Sequence, residues 1–124
     1  MNSEDQTIQV NVLDILNREG FISSNLEQLA NKIGYGTEKL LRILNVTEQQ
    51  GKLLRIEGNL MFTQKNFDKL KNKVIKHFII NDNLSIPEFK ILANTSRKYA
   101  VPLLEYFDKI KITYREGNNR KLLK

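Results

Sequence analysis

The chain has 124 residues and a formal net charge of +6, from 20 lysines and arginines against 14 acidic residues. It has no cysteine and a single histidine, which excludes disulfides, thiolate chemistry and an ordinary zinc site. No apolar run approaches the roughly 20 residues that span a bilayer, and the first residues lack the basic and apolar regions of a signal peptide, so we expect a cytoplasmic protein. The length suits one ordinary domain or two small ones.

The first half of the chain predicts three helices followed by a β-hairpin. Each helical segment has apolar residues three and four positions apart, and each is bounded by capping residues or glycines. The hairpin consists of two short apolar runs around Glu57-Gly58-Asn59. The third helix is expected to bury Leu40, Leu41 and Leu44. The first helix ends at Gly20, the second begins at Ser24 or Asn25 and ends at Gly34, and the third is capped by Thr37 and ends by Gly51. The hairpin covers residues 53–62.

The second half repeats this order of elements. Its first helix begins near Gln64 and ends at Asn81-Asp82-Asn83, a second is capped by Ser85, and a third begins at Ser96. Equivalent positions are 60 residues apart, falling to 59 at the last hairpin. The sequence therefore predicts a mainly α fold with small β-hairpins (α+β), made of two tandem winged-helix domains. In this half, the first helix has an apolar stripe from Phe67 to Ile79, and Pro87 lies in the first turn of the second helix. The third helix is expected to bury apolar residues as far as Ile110, and the wing covers residues 112–123.

The two halves differ in charge. Residues 1–62 carry six basic and eight acidic side chains, a net charge of −2, whereas residues 63–124 carry fourteen and six, a net charge of +8. This asymmetry indicates that the second half meets a polyanion. The candidate contacts lie at the start of the third helix and on the last hairpin: Ser96, Arg97, Lys98, Tyr99, Arg115, Arg120 and Lys121.

The first copy provides an internal comparison for these candidates. Its third helix begins Gly36-Thr37-Glu38-Lys39, and its hairpin carries Ile56, Leu60 and Met61. A helix N-terminus beside arginine and lysine binds anions, and Glu38 opposes such binding. We therefore expect residues 1–63 to form a spacer or protein-contact domain, and residues 64–124 to form the polyanion-binding domain.

The residues alone leave the class of partner open. A winged helix with a basic helix start more commonly reads the DNA major groove, and a pair of winged helices can also bind an acidic protein surface. No catalytic set of residues, paired carboxylates or phosphate-cradling glycine loop occurs, so we predict neither an enzyme nor a metal site. The lysines of residues 65–76 are interpreted as a solvated helix face.

One stretch of the second half carries a family resemblance. Residues 92–108, Leu-Ala-Asn-Thr-Ser-Arg-Lys-Tyr-Ala-Val-Pro-Leu-Leu-Glu-Tyr-Phe-Asp, and residues 112–122, Ile-Thr-Tyr-Arg-Glu-Gly-Asn-Asn-Arg-Lys-Leu, resemble the last winged helix of the bacterial selenocysteine-specific elongation factors, the SelB family. The first half is similar, less specifically, to the preceding winged helix of that family.

The resemblance implies a function. In that family the last winged helix binds the messenger-RNA hairpin that recodes a UGA stop codon, and a GTPase part delivers selenocysteinyl-tRNA to the ribosome. No Gly-x-x-x-x-Gly-Lys-[Ser/Thr] loop occurs here, so the resemblance implies a monomeric C-terminal fragment without a cofactor, with GTP and magnesium belonging to an absent domain. It also implies that Arg97, Lys98, Tyr99, Arg115 and Arg120 contact RNA.

Overall fold

The computed structural model describes residues 1–124 and consists of two compact units, Met1–Phe67 and Asp68–Lys124. Each unit contains helices followed by an antiparallel hairpin, so the predicted mainly α architecture with small β-hairpins is confirmed. None of the helices combines the length and apolar content needed to cross a membrane. The elements are α1 (Ser3–Glu19), α2 (Leu26–Ile33), α3 (Thr37–Gln49), β1 (Leu53–Ile56), β2 (Leu60–Thr63), α4 (Gln64–Ile80), β3 (Leu84–Ser85), α5 (Ile86–Ala93), α6 (Arg97–Lys109), β4 (Thr113–Glu116) and β5 (Asn119–Leu122).

The repeat predicted from the sequence is visible in the lengths of the elements. The three helices have 17, 8 and 13 residues in the first copy and the same lengths in the second. The hairpin turn differs, because Glu57-Gly58-Asn59 separates β1 from β2 whereas Gly117-Asn118 separates β4 from β5. This one-residue difference explains why the offset falls from 60 to 59.

In the first unit, local caps fix the start of each of the first two helices. The Asn2 side chain accepts a hydrogen bond from the amide of Asp5 at 2.8 Å. Asn25, one of the two predicted caps, forms a reciprocal capping box with Gln28. Burial raises the pKa of Glu19, but hydrogen bonds from Lys32 and Ser24 outweigh it and hold that pKa below its ordinary value. The fully buried core brings together the three helices, with Val12, Leu16, Leu29, Leu40 and Leu44 at its centre.

In the second unit, Ser85 is the N-cap of α5, as predicted from the sequence, and it forms a capping box with Glu88. The core is aromatic, since Phe89 and Phe107 are fully buried with their ring centroids 5.9 Å apart in an edge-to-face arrangement. The sheet has three strands in the order β3-β5-β4. The short β3 was not predicted, because two residues are too few to show an alternating pattern.

Several expectations about single residues were wrong. Gly36, not Thr37, is the N-cap of α3. Leu41 is 42% exposed, because the buried stripe of α3 runs through Leu40, Ile43 and Leu44 instead. Ile79 is 74% exposed, and Ile110, which lies at the C-cap beyond the last turn of α6, is 36% exposed.

Pro102 lies inside α6, which begins at Arg97 and continues through the proline to Lys109. Proline has no amide hydrogen, so the carbonyl of Lys98 lacks its usual partner one turn later. The helix tolerates this loss close to its first turn.

Candidate nucleic-acid interface

The start of α6 presents unoccupied backbone donors. Ser96 is the N-cap with an extended backbone, and its side chain makes no capping hydrogen bond. Its carbonyl accepts from the amides of Tyr99 and Ala100 at 3.1 and 2.9 Å. The amides of Arg97 and Lys98 have no partner within the helix, and no acidic residue lies in the first turn. This arrangement favours an anion at the helix start.

The side chains of this turn add positive charge and an aromatic ring. Arg97 and Lys98 are exposed, and neither takes part in any of the ion pairs of the molecule. The ammonium of Lys98 lies 5.5 Å from the centroid of the Tyr99 ring, which is half-buried. The cation that the structure places beside this ring is therefore that of Lys98.

The equivalent turn in the first unit is neutralised. Glu38 lies in the first turn of α3. The ammonium of Lys39 is 3.1 Å from a carboxylate oxygen of Glu4 and 3.8 Å from one of Asp5. Hydrogen bonds from Lys39 and then from Tyr35 hold the pKa of Glu4 below its ordinary value. The first helix start therefore offers no free cation to a phosphate.

The wing of the second unit has two distinct faces. The register pairs Arg115 with Arg120, and Tyr114 with Lys121. Residues directly opposite each other in an antiparallel pair lie on the same face, and neighbours along a strand lie on opposite faces. Arg115 and Arg120 thus share one face, while Lys121 lies on the other. The structure does not bring the three predicted wing cations together.

Arg120 is buried, with its side chain only 4% exposed. Its Nη2 and Nε atoms lie 3.1 and 3.2 Å from one oxygen of Asp108, on α6. The other oxygen of Asp108 accepts a hydrogen bond from the hydroxyl of Thr113 at 2.7 Å. An arginine held in this way fastens the wing to α6, and we assign Arg120 that role in place of the phosphate contact expected from the sequence.

Arg115 remains exposed, and its Nε donates to the carbonyl of Gly117 at 2.8 Å. The first unit uses the equivalent residues differently. There Glu48, which is equivalent to Asp108, pairs with Arg55, which is equivalent to Arg115, at 2.7 Å. In the second unit the acid binds Arg120 instead, and this leaves Arg115 available for an external anion. The sequence repeat shows that Glu48 and Asp108 are equivalent, but it does not show which arginine each of them binds.

Comparison with known proteins shows which proteins this chain is similar to. Residues 76–122 match the family model described as "Elongation factor SelB, winged helix". The chain is 25% identical over 105 residues to the selenocysteine-specific elongation factor of Desulfomicrobium baculatum. That alignment covers 85% of this chain and 17% of the relative, so the chain spans about a sixth of the length of this curated relative.

Two solved structures are similar over the whole chain. One is the mRNA-binding domain of elongation factor SelB from E. coli in complex with SECIS RNA, with a TM-score of 0.82, 22% identity and full coverage of both chains. The other is a bacterial selenocysteine-specific elongation factor, with a TM-score of 0.73, 23% identity and coverage of 20% of that chain. These likenesses confirm the tandem winged-helix fold and the resemblance inferred from the sequence. The chain is thus similar over its full length to the mRNA-binding domain of the E. coli factor and to about a fifth of the second factor.

Proposed function

We propose that this chain is a winged-helix region of a selenocysteine-specific elongation factor of the SelB family, and that it binds the messenger-RNA hairpin that directs selenocysteine insertion. It would tether a factor whose other domains bind GTP and selenocysteinyl-tRNA and act on the ribosome, in the cytoplasm. The chain itself would supply recognition and no catalysis. The relative solved with SECIS RNA supports this proposal.

The observation that carries the proposal is that the cations at the third-helix start and on the wing are used differently in the two units. In the first unit, the helix-start lysine and the wing arginine are both bound by carboxylates of the same unit. In the second, Arg97, Lys98 and Arg115 are exposed and form no ion pair. Two winged helices with matching element lengths thus differ in the surface that a polyanion would meet.

The contacts have separate roles in this proposal. Arg97, Lys98, Arg115 and the amides of the first turn hold phosphates, and the Ser96 hydroxyl can donate a further hydrogen bond. Phosphate contacts position a protein but do not specify sequence. An A-form stem hides its base edges from a helix, so a specific reader needs an unpaired base. We assign Tyr99, with Lys98 beside it, to stack on such a base.

A competition experiment tests RNA against the two alternatives. A labelled hairpin containing an unpaired base is bound to the chain and then displaced by unlabelled hairpin or by duplex DNA of equal length. The hairpin should compete at much lower concentration than the DNA. Stronger competition by the DNA would favour a DNA-binding regulator, and no binding of either would favour the protein-interaction alternative.

The phosphate contacts also predict a dependence on salt. If about three to five phosphates are neutralised, the slope of log K against log salt should be about −3 to −4.5, at roughly −0.9 per phosphate for a duplex. Arg97→Ala should make this slope shallower by about one unit. Arg42→Ala is the matched control, because Arg42 is an exposed arginine of α3 in the first unit, and it should leave the slope unchanged. Equal effects of the two substitutions would contradict the assignment of the interface to the second unit.

A further inference from the structure

The outer face of the wing borders a cavity, which the contacts described above do not use. It has a volume of about 490 Å³ and lies entirely within the second unit. Cavities of roughly 300–1,000 Å³ are typical of small-ligand sites. Its lining combines aromatic, amide, acidic and basic side chains, among them Phe78, Asn81, Asp82, Tyr114, Lys121 and Lys124.

The aromatic side chains provide a surface for a planar group. Tyr114 is 40% exposed although it lies in a strand, and Phe78 is half-buried at the end of α4. A nucleobase stacks on such rings regardless of its identity, because every base has a π face. Tyr114 pairs directly across the hairpin with Lys121, which places a cation on the same face as the ring.

The polar side chains fit the two ends of a nucleotide. The ammonium groups of Lys121 and Lys124 suit a phosphate. The side-chain nitrogen of Asn81 donates to the carbonyl of His77 at 3.0 Å, and this fixes the amide while leaving its oxygen as an acceptor. That oxygen and the carboxylate of Asp82 can accept hydrogen bonds from the amino and imino groups of a base. An inorganic anion alone would gain nothing from the rings or from these acceptors.

We propose that this cavity is a second RNA site, which takes one unpaired nucleotide with its base against Tyr114 and its phosphate at Lys121. Since Lys121 and Arg115 lie on opposite faces of the wing, this nucleotide is distinct from the one assigned to Tyr99. The inference rests on the proposed function in one respect, because the nucleotide would belong to the same RNA as the hairpin.

The cavity can be tested without the hairpin. The full chain, labelled with ¹⁵N, is titrated with each of the four 5′-ribonucleoside monophosphates and separately with inorganic phosphate. Amide signals of Phe78, Asn81, Tyr114 and Lys121 should shift with the nucleotides, in the wild type and in Tyr114→Phe, which keeps a ring. They should not shift in Tyr114→Thr, which keeps a β-branched strand residue. Equal shifts with inorganic phosphate, or in Tyr114→Thr, would overturn the proposal.

A second arm connects the cavity to RNA. The chain is titrated with a blunt hairpin and with the same hairpin carrying a short single-stranded tail. Tyr114→Thr should weaken binding of the tailed RNA about tenfold, the size of one base stacking contact, and leave the blunt hairpin unaffected. Equal binding of the tailed RNA by the wild type and Tyr114→Thr would refute the second site while the hairpin function stands. Failure of the wild type to bind the blunt hairpin would contradict the proposed function, and the mononucleotide titration would still decide on the cavity.

Discussion

Asp108→Ala should destabilise the second unit by about 3 kcal/mol, the lower end of the usual cost of removing one partner of a buried ion pair, because the Asp108 side chain is itself 26% exposed. The substitution leaves the guanidinium of Arg120 without a counterion in a site where its side chain is 4% exposed. It also removes the acceptor for the Thr113 hydroxyl. Urea denaturation followed by circular dichroism gives the free energy of unfolding, and amide hydrogen exchange in β4 and β5 shows which unit is affected.

Glu48→Ala is the matched control for this prediction. Glu48 holds the equivalent place in the first unit, but its side chain is 40% exposed and that of its partner Arg55 is 27% exposed. Ion pairs with this exposure contribute about 0–1 kcal/mol, because water and salt screen them. Losses of similar size from the two substitutions would show that Arg120 is better solvated than its burial indicates.

Tyr99→Ala should weaken binding of a hairpin that contains unpaired bases by about 1–3 kcal/mol, the value of one base stacked on an aromatic ring. Binding of the same stem with its unpaired bases deleted should barely change, because phosphate contacts dominate there. Fluorescence titration of both RNAs measures the difference. The variant must melt as the wild type does, since Tyr99 is half-buried.

Tyr35→Ala is a close control for Tyr99→Ala. Tyr35 is 37% exposed in the first unit and has the ammonium of Lys39 at 5.0 Å from its ring centroid, as Tyr99 has that of Lys98 at 5.5 Å, although the Tyr35 hydroxyl is also hydrogen-bonded to Glu4. It should have no effect on either RNA. If a well-folded Tyr99→Ala loses equal affinity for both RNAs, or none for either, the contact at this helix start is electrostatic and no base is read there.

Local signals predicted most of the fold. The caps Asn25 and Ser85 and the turn glycines Gly58 and Gly117 act over a few residues, so their effects can be derived from the sequence around them. The 60-residue repeat supported these predictions, because a pattern found in one copy could be checked in the other.

The missed features depend on packing between elements. Leu41 and Ile43 are both apolar and two positions apart on α3, and only the placement of the neighbouring elements decides which one is buried. β3 is stabilised by β5, a strand more than 30 residues later. The pairing of Asp108 with Arg120 was missed for the same reason, since Arg115 is an equally suitable partner in sequence and is the one that the first copy uses.

The bond between Asp108 and Arg120 has a consequence for the thermodynamics of recognition. A surface loop that becomes ordered on binding loses conformational entropy, at roughly 0.5–1.5 kcal/mol for each immobilised side chain, and this loss subtracts from affinity. In this wing the ordering has already occurred during folding, because a carboxylate of α6 holds both strands through Thr113 of β4 and Arg120 of β5. The wing is thus preorganised, and the exposed Arg115 can meet a phosphate on a backbone whose shape is already set.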